Sequence, residues 1–252
     1  MSAAGLARAA GADPQGRAPL SADHVVEALA AVHDPELDEP ITALGFVASC
    51  EVTPEGGVEV VLRLPTPQCA PNFAFLMASD ARAAVRRLPQ VREVTIRLED
   101  HYTGEEINGA LERGSGFTGA FPGETDDDAL DSLRELFLRK ALVARQSRLC
   151  ESLLATGASA EEVTGQRVAD LPDVPDAQRC LELRRTLGLP ADEDSPAFML
   201  PDGTPLRAAE CKRWLRTARL VRMSLEVNGG ICRSLLQVRH GVAIDDPEEV
   251  VR

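Results

Sequence analysis

Leu64-Pro-Thr-Pro-Gln-Cys-Ala-Pro71 sets a cysteine, Cys69, between a β-prone run and the proline that opens a helical one. Backbone N–H groups and the positive end of a helix dipole favour a negatively charged sulfur at such a junction, and the thiolate is the form that binds soft metals or attacks electrophiles. An inert, half-buried thiol is the plainer alternative for a loop cysteine. His101, beyond the next strand, offers a nitrogen ligand, although an isolated surface histidine is more often merely solvated. Thr66 lies three residues before the sulfur and is placed to fix the loop rather than to react. Asp34 and Glu36, in Asp34-Pro35-Glu36-Leu37, are carboxylates that can orient a loop or meet a partner, or simply cap a helix end and face water.

The elements that must position these groups follow from periodicity. Ser21 is an N-cap, and Val25, Val26, Leu29, Ala30 and Val32 recur at helical spacing, which predicts a helix over roughly 21–33 before Pro35. Phe46–Val52 and Val58–Leu64 are β-prone, and Pro54-Glu55-Gly56-Gly57 between them supplies a hairpin turn. Pro71 suits the first turn of a second helix, whose apolar stripe runs through Phe73, Leu76, Met77, Ala84, Val85 and Leu88. Val94, Ile96 and Leu98 alternate as one face of a third strand. A strand, a crossover helix and a second strand make a right-handed parallel unit, so the expectation is an α/β (α+β) fold. Its first part is an α-β-β-α-β domain with a mixed three-stranded sheet and helices on one face.

The ordered combination of Asp34-Pro35-Glu36-Leu37, Ile41, Leu44-Gly45-Phe46-Val47, the hairpin, Thr66-Pro67-Gln68-Cys69, the helix and Val91-Arg92-Glu93-Val94 resembles the MIP18 family, also called DUF59, which includes SufT-like and PaaD-like proteins. The resemblance covers roughly residues 21–108. It implies a maturation factor for iron–sulfur clusters or iron sites, with Asp34, Glu36, Thr66 and Cys69 gathered on one edge of the domain. The cargo that the resemblance implies is a transient iron ion or iron–sulfur cluster. The partners it implies are a client metalloprotein, for which PaaD-like relatives suggest an iron-dependent oxygenase, and other assembly proteins. Ala70 stands between Cys69 and Pro71 where relatives usually have Cys-Pro, and Glu99-Asp100-His101-Tyr102 replaces a stretch that commonly contains Trp. One cysteine cannot supply the four thiolates a cluster usually takes, so a homodimer, an external thiol or other ligands would complete it.

Residues 1–19, rich in Ala, Gly and Pro, read as a flexible tail, 20–108 as the first domain and 109–126 as a glycine-rich linker. Residues 127–252 read as a mainly helical second domain. Asp126, Asp127 and Asp128 open a helix reaching about Leu154, where they complement its dipole. Further helices are expected near 160–169 and 176–187, with a turn around Asp202-Gly203. A basic helix over about 207–227 should end at Asn228-Gly229-Gly230, leaving Ile231–Val238 as helix or strand. Lys212, Arg216 and Arg219 share one face of it, either a solvated basic face or a partner-docking one. Cys180, Cys211, Cys232 and His240 lack zinc-finger spacing and read as core residues.

The 252 residues are 44% hydrophobic, enough for real cores, and carry a formal charge of −13, which disfavours nucleic acid and anionic membranes. Six cysteines without a CxxC pair fit reduced thiols in a cytoplasm. No apolar stretch reaches signal or membrane-spanning length. Two other functions compete with assembly. One is a thiol-dependent enzyme with Cys69 as nucleophile and His101 or His33 as base. The other is a metal-free adaptor or DNA-binding regulator acting through the basic helix, in which Cys69 is structural.

Overall fold

A computed structural model describes residues 19–123 and 127–241. The tail call, apart from Pro19, and Asp126 of the acidic trio lie outside the described residues.

Helix α1 (Ala22–Leu29) starts as expected at Ser21, whose hydroxyl accepts the His24 N–H in a reciprocal capping box. It stops four residues earlier than periodicity predicts. After Leu29 the chain tightens, the Val32 N–H bonds to Leu29 O, and His33 pairs with Pro40 across a closed loop. Strands β1 (Val47–Val52) and β2 (Gly57–Arg63) form the antiparallel hairpin, and Gly56 takes φ +88° in its turn. Helix α2 (Pro71–Arg86) begins with Pro71 in its first turn, and β3 (Glu93–Glu99) then runs parallel to β2. The sheet order is β1-β2-β3, mixed as the right-handed crossover requires. Val58, Val60, Leu62, Val94, Ile96 and Leu98 point into one core with α1 and α2, while Glu59, Thr95 and Arg97 are exposed on the other face.

Within the segment expected as a linker, the end of one helix and a second short helix pack on the first core. Helices α3 (Gly104–Arg113) and α4 (Phe117–Ala120) bury Ile107, Ala110, Leu111 and Phe117 in the first core. Its glycines act as punctuation between them: Gly114 ends α3 in the left-handed region at φ +66°, and Gly116 is the N-cap of α4. Asn108 of α3 mimics a strand, accepting from the Leu98 N–H at 2.8 Å and donating to Leu98 O at 2.9 Å, which covers the free edge of β3.

Helix α5 (Asp127–Ala155) puts Leu130 in the first core and Leu142, Leu149 and Cys150 in a second. That second core is completed by α6 (Ala160–Thr164), shorter than expected and followed by a 3-10 turn at Val168–Asp170, and by α7 (Pro175–Thr186) and the turn around Asp202-Gly203. Arg184 is fully buried there, donating to the carbonyls of Pro196 and Ala197 and to Gln146 Oε1. Helix α8 (Ala208–His240) is one unbroken helix of 33 residues, so the predicted stop at Asn228-Gly229-Gly230 is corrected. Gly229 is buried where a Cβ would meet Glu39 Oε1 at 2.9 Å; it marks a close approach rather than a helix end. The start of α8 seals the second core with Cys211, and its far end returns to the first with Leu236.

Candidate functional site

Cys69 lies where β2 hands over to α2, in a loop stiffened by Pro65, Pro67 and Pro71. The Cys69 N–H donates to Thr66 O at 3.3 Å, the Gln68 N–H donates to Thr66 Oγ1 at 3.3 Å, and that hydroxyl lies 3.6 Å from Cys69 Sγ. Thr66 therefore braces the turn and touches the sulfur. Cys69 is half-buried and packs against the edge of the first core.

His101 reaches the same loop from beyond β3. Asp100 adopts φ +52°, bending the chain back, and the Tyr102 N–H donates to Pro67 O at 3.0 Å. His101 Nε2 donates to Cys69 O at 2.8 Å, and its Nδ1 lies 3.3 Å from the Thr103 N–H donor and 3.1 Å from Thr103 Oγ1. A carbonyl oxygen can only accept, so the proton sits on Nε2. Both ring nitrogens are thus committed to the protein, and the imidazole holds the Cys69 backbone. His33 Nδ1 is likewise bonded, to Ala31 O at 3.1 Å.

The Asp34 turn forms the neighbouring wall. Asp34 is 8% exposed, and its Oδ1 accepts the N–H groups of Glu36 at 2.8 Å and Leu37 at 2.9 Å, closing the turn. Burial pushes its carboxyl up to about 6; the two N–H bonds oppose that shift, and the charges of Glu36 and Glu39 add to it. Asp38 follows at φ +54° and is clamped by two arginines of the helical part: Arg145 Nε at 2.8 Å and Arg179 Nη2 at 2.6 Å. Arg145 also donates to Asp38 O at 2.6 Å and to Asp176 at 3.0 Å.

Helix α8 lies across both loops. Asn228 Nδ2 donates to Glu36 Oε1 at 3.2 Å, Arg233 Nη1 pairs with Glu39 at 2.5 Å, and Arg239 donates to Pro65 O at 2.8 Å and to Asp100 at 2.6 Å. Cys232 lies on this stretch, half-buried against the first core. Burial pushes its thiol up to about 12, with the neighbouring Asp34, Cys69 and Glu36 raising it further and Arg233 opposing them. Cys232 therefore sits on the first core and His240 lies 3.8 Å from Asp100, apart from Cys180 and Cys211, which are buried in the second core with Cys150 Sγ 3.8 Å from Cys211 Sγ. Among the described residues, no three His, Cys, Asp or Glu side chains are arranged to hold a metal ion by themselves.

Lys212, Arg216 and Arg219 lie together, as their spacing predicts, but far along α8 from Cys69. They line a groove of about 590 Å³ with Glu151, Leu154, Ala160, Cys211 and Leu215. Arg219 pairs with Glu151 at 2.6 Å. Further along the outer side of α8, Leu220, Met223, Val227, Ile231 and Val238 are exposed. No described helix is long and apolar enough to cross a membrane.

Of the residues singled out in the sequence, Thr66 and His101 touch the Cys69 loop and Asp34 and Glu36 form the turn beside α8, while Asp38, Glu39, Asn228, Arg233 and Arg239, which were not singled out, tie these loops to the helices and Cys232, read as a core residue, lies among them. Cys232, four residues from Asn228 and four from Leu236, carried a helical-face signal that the expected break at the glycines concealed.

Comparison with known sequences meets this geometry. The sequence pattern of a family described as iron-sulfur cluster assembly protein matches residues 22–96. An uncharacterized protein of Methanocaldococcus jannaschii is 33% identical over 92 residues, which is 36% of this chain and 95% of the archaeal one. The chain belongs to the iron–sulfur cluster assembly family through its N-terminal α-β-β-α-β unit, and its general role is iron–sulfur assembly in the company of other assembly factors or clients. The second core, with most of α5 and all of α6 and α7, lies beyond the matched residues.

Proposed function

We propose that Cys69 is the residue through which this protein takes up iron, or the edge of an iron–sulfur cluster, and passes it in the cytoplasm to a client metalloprotein. Supporting this is the placement of a half-buried thiol at a proline-stiffened strand-to-helix loop braced by Thr66 and His101. In an assembly family, such a site suits ligand exchange: the sulfur donates to iron as thiolate, a client ligand enters, and the Cys69–iron bond breaks without electron transfer. One thiolate fills one of the four positions that cluster iron usually offers, so the client, a second copy or a small thiol supplies others.

Asp34 and Glu36 serve as the wall of this site, Asp34 by closing its turn and Glu36 by tying that turn to Asn228. The division at residue 127 is part of the same proposal: the N-terminal unit handles cargo and the helical part selects the client, an iron-dependent oxygenase being one fitting class. The cationic groove at Lys212 and Arg216 and the exposed apolar side of α8 supply surface for it or for a second copy. His101 and His33 are each bonded to backbone oxygens, which fits a carrier better than a thiol enzyme needing either as base.

Anaerobic reconstitution with iron and sulfide tests this. The wild-type chain should gain visible charge-transfer absorption that Cys69→Ser lacks, with both proteins folded by circular dichroism. A folded Cys69→Ser protein that takes up as much iron and sulfide as wild type would refute the role of Cys69.

A further inference from the structure

The face that α8 turns toward the loops is fixed by three contacts. Asn228 donates to Glu36, Leu236 is fully buried in the first core, and Arg239 donates to Pro65 O. In an α-helix, positions i, i+4, i+8 and i+11 share one face, so Cys232 lies on that face between the anchors at Asn228 and Leu236. One anchor grips the Asp34 turn, and Arg239 grips the loop four residues before Cys69. Both sulfurs are half-buried against the same core. Asp34, Cys69 and Glu36 all lie near enough to Cys232 to oppose its ionisation, with Arg233 acting the other way, so α8 carries this sulfur to the neighbourhood of the Cys69 loop. At Gly229 the helix meets the Asp34 turn directly, since a Cβ there would stand 2.9 Å from Glu39 Oε1.

We propose that Cys69 and Cys232 together form a two-sulfur seat for a thiophilic divalent metal ion, with α8 bringing the second ligand to the Cys69 loop within one chain. This deepens the function given above and rests on Cys69 being the cargo-holding residue. Binding forms two metal–sulfur bonds, each sulfur entering as thiolate and any thiol proton passing to solvent, with no change of oxidation state. Water or client ligands fill the remaining positions. The second sulfur lies outside the stretch matched by the family, since Cys232 is far beyond residue 96.

Cadmium(II) alone is a suitable probe, because it is redox-inert and prefers sulfur. The reduced full-length wild-type chain is titrated with it, and N-ethylmaleimide labelling is followed at each cysteine by mass spectrometry. Cys69 and Cys232 should become protected together, with one midpoint, while Cys50 on β1 keeps its metal-free rate. The cadmium–thiolate absorption should report two sulfurs at this site, falling to one in Cys232→Ser with about 100-fold weaker binding, the usual scale for losing one arm of a bivalent contact. Protection and absorption at Cys69 that are unchanged in Cys232→Ser would overturn the two-sulfur seat while leaving Cys69 as the carrier. Cadmium that protects neither sulfur would overturn both. The wild-type labelling requires no substitution to fold.

Discussion

The Asp38 carboxylate, 4% exposed and held at φ +54°, accepts from Arg145 Nε at 2.8 Å across the junction between the two cores. Arg179 closes the same carboxylate from the other side at 2.6 Å. Removing one member of a buried, hydrogen-bonded charge group leaves the others uncompensated, a loss of about 3–5 kcal/mol. Asp38→Ala should therefore destabilise the chain by about that amount in urea unfolding. Arg179→Ala should cost less, since Asp38 keeps Arg145. Equal and small losses in the two variants would mean that the clamp contributes little.

Asp34 makes stability depend on pH in an unusual direction. Its carboxyl is raised from 3.8 to about 6 by burial, so between those values the native state holds a proton that the unfolded chain has released. Stability from this group is complete below pH 4 and is lost as pH rises toward 6. The full shift corresponds to at most about 3 kcal/mol. Asp34→Asn keeps an oxygen for the Glu36 and Leu37 N–H groups without the charge. It should therefore be more stable than wild type at pH 7 and should lack this part of the acid-side slope. Parallel unfolding curves of the two proteins from pH 4 to 7 would exclude a raised Asp34.

The N-terminal unit was legible in the sequence because its signals are local. Alternation in Val94-Thr95-Ile96-Arg97-Leu98, proline at the start of α2 and Ser21 at the start of α1 each act within a few residues. The residues that close the site were hidden because their partners are remote in sequence. Nothing local in the sequence marks Asp38, and only folding brings Arg145 and Arg179 to it. Gly229 and Gly230 read as a helix end, since local propensity contains no term for Glu39 pressing on α8. The glycines of 104–123 suggested a linker for a similar reason: Ile107, Leu111 and Phe117 find their apolar partners only in the assembled core.

The two α8 glycines should respond differently to alanine. A Cβ on Gly230 meets nothing within 4 Å, so Gly230→Ala should stabilise by about 0.8–1.0 kcal/mol through helix propensity alone. A Cβ on Gly229 would push Glu39 away from Arg233, so Gly229→Ala should lose most or all of that gain. Thermal unfolding separates them. Equal stabilisation in both variants would show that α8 does not press on Glu39.

His101 distinguishes positioning from ligation. Its Nε2 bond to Cys69 O is worth about 0.5–1.5 kcal/mol as a typical hydrogen bond, so His101→Ala should speed amide exchange in the 66–69 and 100–104 loops. Iron and sulfide uptake should fall only partly, because the sulfur remains. His101→Gln keeps an N–H donor and should restore much of both measurements toward wild type. If uptake instead drops in both variants to the level of Cys69→Ser while loop exchange stays at the wild-type rate, the imidazole is binding the cargo itself. The hydrogen bond to the Cys69 carbonyl would then have to open before iron arrives.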